Sequence, residues 1–178
     1  YCYFKNINGM SVDEFTVTNF LGTNIINISD VDMSGWDLTG DDLSNKVIID
    51  TNLSNAVLVG VDLSNTVLIG TTLTGADLTD ANLAGAILSG VDLSGMDLTG
   101  TILTEADLSN ANLDGVDLSG RDLTDTILRG VDLSGRDLTG TILYGTYLTD
   151  ANLTSVDLSG KDLAGAILSG VDLSGMDL

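Results

Sequence analysis

The sequence predicts an all-β solenoid, a parallel β-helix and not a globular domain, and three observations carry that expectation. From residue 31 onward an apolar residue stands at every fifth position, giving thirty centres from Met33 to Leu178, of which twenty-eight are leucine. A period of five fits neither the 3.6-residue turn of a helix nor the two-residue repeat of a strand, whereas a fixed short repeat marks units that stack on one another. Proline is absent, as suits a backbone whose N–H groups pair with the coils above and below. A longer period overlies the short one. Residues 86–125 and 126–165 agree at more than half their positions, and a third copy begins at Ala166.

Within each five-residue unit the pattern is narrow. Two residues before the centre the side chain is usually Ala, Thr or Val. The residue before the centre is usually Asp or Asn, the one after it Ser or Thr, and the next most often Gly. Three segments follow from this. Residues 1–7 form a leader without repeat. Residues 8–30 read as a degenerate first coil with centres near Met10, Phe15, Phe20 and Ile25, followed by three extra residues, Ile28-Ser29-Asp30, that shift the register. The regular array then runs over 31–178.

The units Ala76-Asp77-Leu78-Thr79-Asp80, Ala81-Asn82-Leu83-Ala84-Gly85 and Ala106-Asp107-Leu108-Ser109-Asn110 resemble the A(D/N)LXX motif of pentapeptide-repeat proteins, and the resemblance covers about 165 residues. It implies a right-handed quadrilateral parallel β-helix of about eight coils, four pentapeptides to a coil. The centre and the residue two before it would point inward, and the rest outward. Leucine-rich repeats and calcium-binding nonapeptide β-rolls need other spacings and do not fit.

Composition narrows the function. The chain carries 26 acidic and 6 basic residues, a formal charge of -20. Phosphates would be repelled, so direct nucleic-acid binding is not expected, and a protein with a basic surface is the natural partner. Histidine is absent and Cys2 is the sole cysteine, so neither an intramolecular disulfide nor a histidine-based metal site or general base is available. No apolar run approaches the ~18 residues of a membrane span, and no membrane partner is expected. With no signal-peptide pattern the compartment stays open, with the cytoplasm favoured; starting at Tyr1 and stopping mid-repeat, the chain reads as a fragment or processed piece from which targeting signals would have been removed. A leucine-filled core leaves no pocket, and no phosphate-binding loop or dinucleotide fingerprint appears. The expectation is therefore no enzyme, no cofactor and no metal.

If twenty residues close a coil, residues twenty apart stack at about 4.8 Å, and sorting the residue before each centre by twenties separates four faces. The first stacks Asp37, Val57, Asp77, Asp97, Asp117, Asp137, Asp157 and Asp177, an acidic ladder offered as a binding surface. The opposite, third face stacks Val47, Val67, Ile87, Asp107, Ile127, Tyr147 and Ile167, an apolar stripe offered as a contact surface. Each has a plain alternative, solubility for the ladder and strand-favouring β-branching for the stripe. The other two faces mix Asp with Asn52, Asn82, Asn112 and Asn152. Large residues stand where the inward position wants a small one: Trp36, Asp41, Lys46, Met96, Arg121, Arg136, Lys161 and Met176. Since an unpaired cation in a leucine core is strongly unfavourable, these are expected to bend out at a corner, with Gly95, Gly135 and Gly175 giving room, and Arg121, Arg136 and Lys161 are then expected to pair with nearby Asp.

The function expected is a rigid acidic scaffold or protein-binding module, able to form a homodimer or to associate end to end. Some pentapeptide-repeat proteins, notably the quinolone-resistance type, bind DNA gyrase as DNA mimics, and the resemblance implies this as an alternative. Here the array carries 23 acids and five bases, about one net charge per 2 Å against one per 1.7 Å in B-DNA. The array's nearly all-leucine centres and its uninterrupted run depart from that type. A third reading is a structural segment of a larger effector, surface protein or filament.

Overall fold

The computed structural model describes residues 16–18 and 24–173, and no described residue is helical. Strand β1 (Thr16–Thr18) pairs antiparallel with β2 (Asn24–Ser29), and β2 pairs parallel with β3 (Val47–Ile49). Beyond β3 the chain repeats in steps of twenty. Parallel bridges join Asp32 to Asn52, Asp62 to Asn82, Val67 to Ile87 and Ile127 to Tyr147. Each rung uses both backbone groups: Leu38 N donates to Val57 O at 2.9 Å, and Val57 N donates to Trp36 O at 2.8 Å.

Corners make the coil square. The N–H after each unit donates back three residues, as Ala76 N does to Leu73 O at 2.9 Å. The third residue of that turn has a positive φ at every fifth position from Asp30 to Gly170, between 51° and 76°. This is the geometry of a type II turn, which favours Gly and tolerates Asn or Asp. It explains why the unit so often ends in Gly, and why Asn or Asp stands there when Gly does not. Glu105 and Ser155 hold the same conformation without either advantage.

The inward positions are those the sequence indicates. The leucine centres from Leu38 to Leu158 are 0–2% exposed and form one continuous core with the small residues two before them. Threonine at the small position is not an apolar substitute but a donor. The Thr66, Thr101, Thr126, Thr141 and Thr146 hydroxyls each donate to the backbone oxygen twenty-three residues back, on the neighbouring face of the coil below. A buried hydroxyl needs such a partner, and this one ties two coils together at the corner.

One expectation on register is corrected. Ile28-Ser29-Asp30 is not an insertion: Asn27, Ile28 and Ser29 align with Val47, Ile48 and Ile49, and Asp30 takes the left-handed corner conformation at φ 57°. Ile28 is thus the centre twenty before Ile48. What precedes it is antiparallel, Thr16 opposite Ile26, so β1 is no part of a parallel first coil. The apparent match of Ile25 to a centre came from spacing alone, which does not sense strand direction. The leader at residues 1–7 lies outside the described residues.

Leu108→Ala, at a fully buried centre flanked by coils on both sides, is expected to cost about 2–5 kcal/mol from lost burial and the cavity left behind. Urea denaturation followed by far-UV circular dichroism measures it.

Candidate functional site

Six ladder carboxylates on the first face, Asp37, Asp77, Asp97, Asp117, Asp137 and Asp157, are all exposed, in one column interrupted by Val57. Asp177 lies outside the described residues. Each carboxylate also works for the fold. Asp97 Oδ1 accepts from Thr99 N at 2.8 Å and from Thr99 Oγ1 at 2.5 Å, and Asp37 and Asp77 do the same with Thr39 and Thr79. These bonds span the outside of the corner. They hold all six carboxyls below the usual Asp range, the hydroxyl bond being the largest cause and the backbone bond the next. The ladder is accordingly ionised at neutral pH.

The faces differ in how their coils are joined. Among the described residues, four successive steps of the first face, from Asp77 to Asp157, carry no bridge between coils, whereas the third face is bridged at every step from Val47 to Ile167. Carboxylates at strand spacing repel, but charge does not decide the bridges: Asp42 and Asp62 are bridged, whereas Thr72 and Asp92, Ile102 and Asp122, and Asn112 and Asp132 are not. The oversized Met96 and Arg136 lie behind the first-face column. On the second and fourth faces asparagine breaks the repulsion. Asn52 Nδ2 donates to Asp32 Oδ1 at 3.0 Å, Asn82 to Asp62 at 3.1 Å and Asn152 to Asp132 at 3.0 Å. The signal for this role in the sequence is a spacing, each of the three asparagines standing twenty residues after an Asp.

Three of the misplaced cations find partners nearby. Arg136, half-buried, reaches Asp114 with its Nη2 at 2.6 Å from Oδ1. Lys161 donates its ammonium to Leu138 O, the acceptor twenty-three residues back that threonine uses at equivalent positions. Lys46 donates to Ser44 O at 3.3 Å. Arg121 lowers the Asp97 and Asp117 carboxyls through its charge, although its buried Nε has no partner. The expected exit toward carboxylates holds for Arg136, while Lys161 and Lys46 turn to backbone oxygens. Trp36 and Met96 stay inside the core, contrary to the expectation, because their apolar side chains lose nothing there. Met176 lies outside the described residues. Asp41 is half-buried, and burial, then the neighbouring Asp37 charge, pushes its carboxyl up.

The third face carries the apolar stripe. Val47, Val67, Ile87 and Ile127 are half-buried, and Tyr147 and Ile167 are 43% and 42% exposed. Ile69 adds to the same face, one position past its centre. Asp107 interrupts the stripe. Burial raises its carboxyl, but the Ser109 hydroxyl and N–H and the Ser89 hydroxyl outweigh that and leave it lowered. Among the described residues no group of acidic or cysteine side chains is arranged to hold a metal ion, and no helix is long and apolar enough to cross a membrane.

A square parallel solenoid of five-residue units, leucine inside and turn-bonded Asp outside, defines a class of repeat protein. The chain belongs to the pentapeptide-repeat family: the model for pentapeptide repeats matches in eight copies over residues 48–85, 81–120, 106–145, 122–154 and 146–178. The fold is that family's right-handed quadrilateral β-helix. Among solved structures, a pentapeptide repeat protein of the Arabidopsis thaliana thylakoid lumen is 30% identical, with 58% of this chain and 68% of that one covered and a TM-score of 0.42. HetL, a pentapeptide repeat protein involved in heterocyst differentiation regulation in Nostoc, is 27% identical over 85% and 86%, with a TM-score of 0.34. QnrB1, a plasmid-mediated fluoroquinolone resistance protein, is 17% identical over 82% and 93%, with a TM-score of 0.41. No curated protein sequence matches the chain.

Two outcomes are expected. A group whose folded pKa is depressed adds stability above its unfolded pKa, near 3.9, and that stability is lost as pH falls through the folded value. The thermal midpoint should therefore be flat from neutral pH to about 5 and fall below about 4. The triple variant Asp97→Asn, Asp117→Asn, Asp137→Asn should fall less, because an Asn oxygen accepts the same corner bond without titrating, as Asn52 does from Ser54 N at 3.0 Å. Lys161→Thr should be neutral or stabilising by up to about 1 kcal/mol in denaturant melts, since a hydroxyl replaces the half-buried ammonium on the same carbonyl.

Proposed function

We propose that the chain is a non-catalytic binding rod whose first face docks a basic surface of another protein. The observation that supports this is the ladder from Asp77 to Asp157: five successive exposed carboxylates, held ionised, with no neutral side chain between them. The second and fourth faces interrupt their acids with Asn, Thr or Ile. Turn chemistry does not require charge here, since Asn serves equally well at Asn52 and Asn152. An unbroken row of like charges fits a partner that neutralises them.

A narrower reading is mimicry of DNA toward a DNA-binding enzyme such as DNA gyrase. The linear charge of the array, 23 acids against five bases, at about one net charge per 2 Å lies close to that of duplex DNA and supports it.

The triple Asn variant tests both. Immobilised rod should retain basic proteins at low salt and release them at about 0.5 M, and the variant should retain at least about tenfold less while keeping its circular dichroism. Retention unchanged by the three substitutions overturns the reading. Under the narrower one, purified gyrase binds the wild-type rod and duplex DNA displaces it; failure of that competition alone leaves the basic-surface reading standing.

A further inference from the structure

The two tyrosines among the described residues are both exposed and stand on either side of one corner. Tyr144 follows the second-face centre Leu143, and Tyr147 precedes the third-face centre Leu148. Between them Gly145 turns the chain at φ 67°. It is the only corner residue from Asp30 to Gly170 that is buried, every other being half-buried or exposed. From the coil below, the Asp125 N–H donates to Tyr144 O at 2.9 Å. The Asp125 carboxylate lies against Gly145, where a Cβ would collide with its Oδ1. The corner thus sets a carboxylate between two tyrosine positions, with the exposed Ile142 and Ile167 beside them.

Asp125 differs from the ladder acids. Asp97, Asp117 and Asp137 each accept a hydrogen bond from their own turn, whereas none from the described residues reaches the Asp125 carboxylate. Nor does a base of the chain fill the corner, since Arg129, four residues on, makes no ion pair with a described residue. The corner is also where the duplicated unit changes most. Six of the seven positions in 104–110 differ from 144–150, against eight of the other thirty-three in the two forty-residue units. Thr104 and Asp107 of the first copy are replaced by Tyr144 and Tyr147, and Glu105 by the Gly145 that makes room for Asp125. The rod does not require this, because Thr and Asp serve the same turn positions elsewhere.

We propose that this corner captures an arginine side chain of a partner protein, its guanidinium paired with Asp125 and stacked on a tyrosine ring. A guanidinium meets both demands at once. It is planar and weakly hydrated, stacks on aromatic faces, and bonds a carboxylate through two parallel N–H groups. A neutral ligand covering the corner would leave the Asp125 charge buried and unpaired, which is strongly unfavourable. A lysine ammonium would satisfy the charge but gives up more hydration and offers no plane to stack. Ile142 and the tyrosine rings supply apolar surface for the arginine stem. Asp122 and Asp162, one coil below and above Ile142, add attraction for a basic segment. The site lies away from the first-face ladder and does not depend on it.

The test is a titration of the capped peptide Gly-Arg-Gly into the chain carrying carbon-labelled tyrosine rings, followed by NMR in about 0.15 M salt to screen the ladder. Circular dichroism confirms that each variant is folded. Two tyrosine rings should shift together and saturate at millimolar peptide. The capped peptide Gly-Lys-Gly should bind at least about threefold more weakly. Asp125→Asn, which keeps the shape and removes the charge, should raise the Kd about tenfold. Tyr144→Thr and Tyr147→Ile install residues that the same columns carry at Thr104 and Ile127. Each should raise the Kd about two- to fivefold, read on the remaining ring. The ladder variant Asp97→Asn, Asp117→Asn, Asp137→Asn should bind the peptide as the wild type does, so failure here leaves the proposed function standing. No saturable shift, a lysine peptide bound as tightly, or no effect of Asp125→Asn or of the tyrosine substitutions each overturns the inference. Loss of binding in the ladder variant overturns it as well.

Discussion

A left-handed residue at the third position of every turn is the constraint from which the rod follows. At each fifth residue from Asp30 to Gly170 the backbone turns through a positive φ, and the next N–H closes on the residue three before it. Three extended residues separate one corner from the next, too few for a long strand but enough for one rung to the coil above and one to the coil below. Four such sides bring the chain back over itself after twenty residues. The leucines then stack on leucines because the corners put them there, and their burial stabilises what the corners shape.

The same corners explain why the outside is acidic. The residue before each centre lies beside the turn, and a side-chain oxygen there accepts the N–H two residues on. Asp and Asn both do so, which leaves the charge of the position free to serve another purpose. On the second and fourth faces Asn stands among the Asp, and the Asn52, Asn82 and Asn152 amides donate to the carboxylate of the neighbouring coil. On the first face it places Asp above Asp from Asp77 to Asp157. Where two residues serve the turn equally, a run of the more repulsive one points to selection by something outside the turn.

Oversized inward residues show how much the core tolerates. Trp36 and Met96 are accommodated inside it. Lys161 takes over the carbonyl that threonine engages elsewhere, and Arg136 leaves the core for Asp114. All of these lie on the first and second faces or the corner between them, beside the open rungs. The third face keeps Thr or Ala at its inward position from Thr66 to Ala166 and is bridged throughout. The one column bridged at every described step from Val47 to Ile167 thus lies under the apolar stripe.

The sequence by itself determined the repeat, the inward and outward positions and the sorting into four faces, because a strict period of five leaves one way to stack leucine on leucine. It could not determine where the array begins. Ile25 and Ile28 are both apolar and both precede a plausible corner, and only strand pairing puts Ile28 opposite Ile48 and turns Thr16–Thr18 antiparallel. Nor could it determine where the large inward residues go, since Lys161, Arg136 and Met96 occupy the same position of the repeat and reach three different ends. Those outcomes rest on which carbonyl, carboxylate or apolar wall stands in the adjoining coil, some twenty residues away. Stacking alone brings such groups within reach.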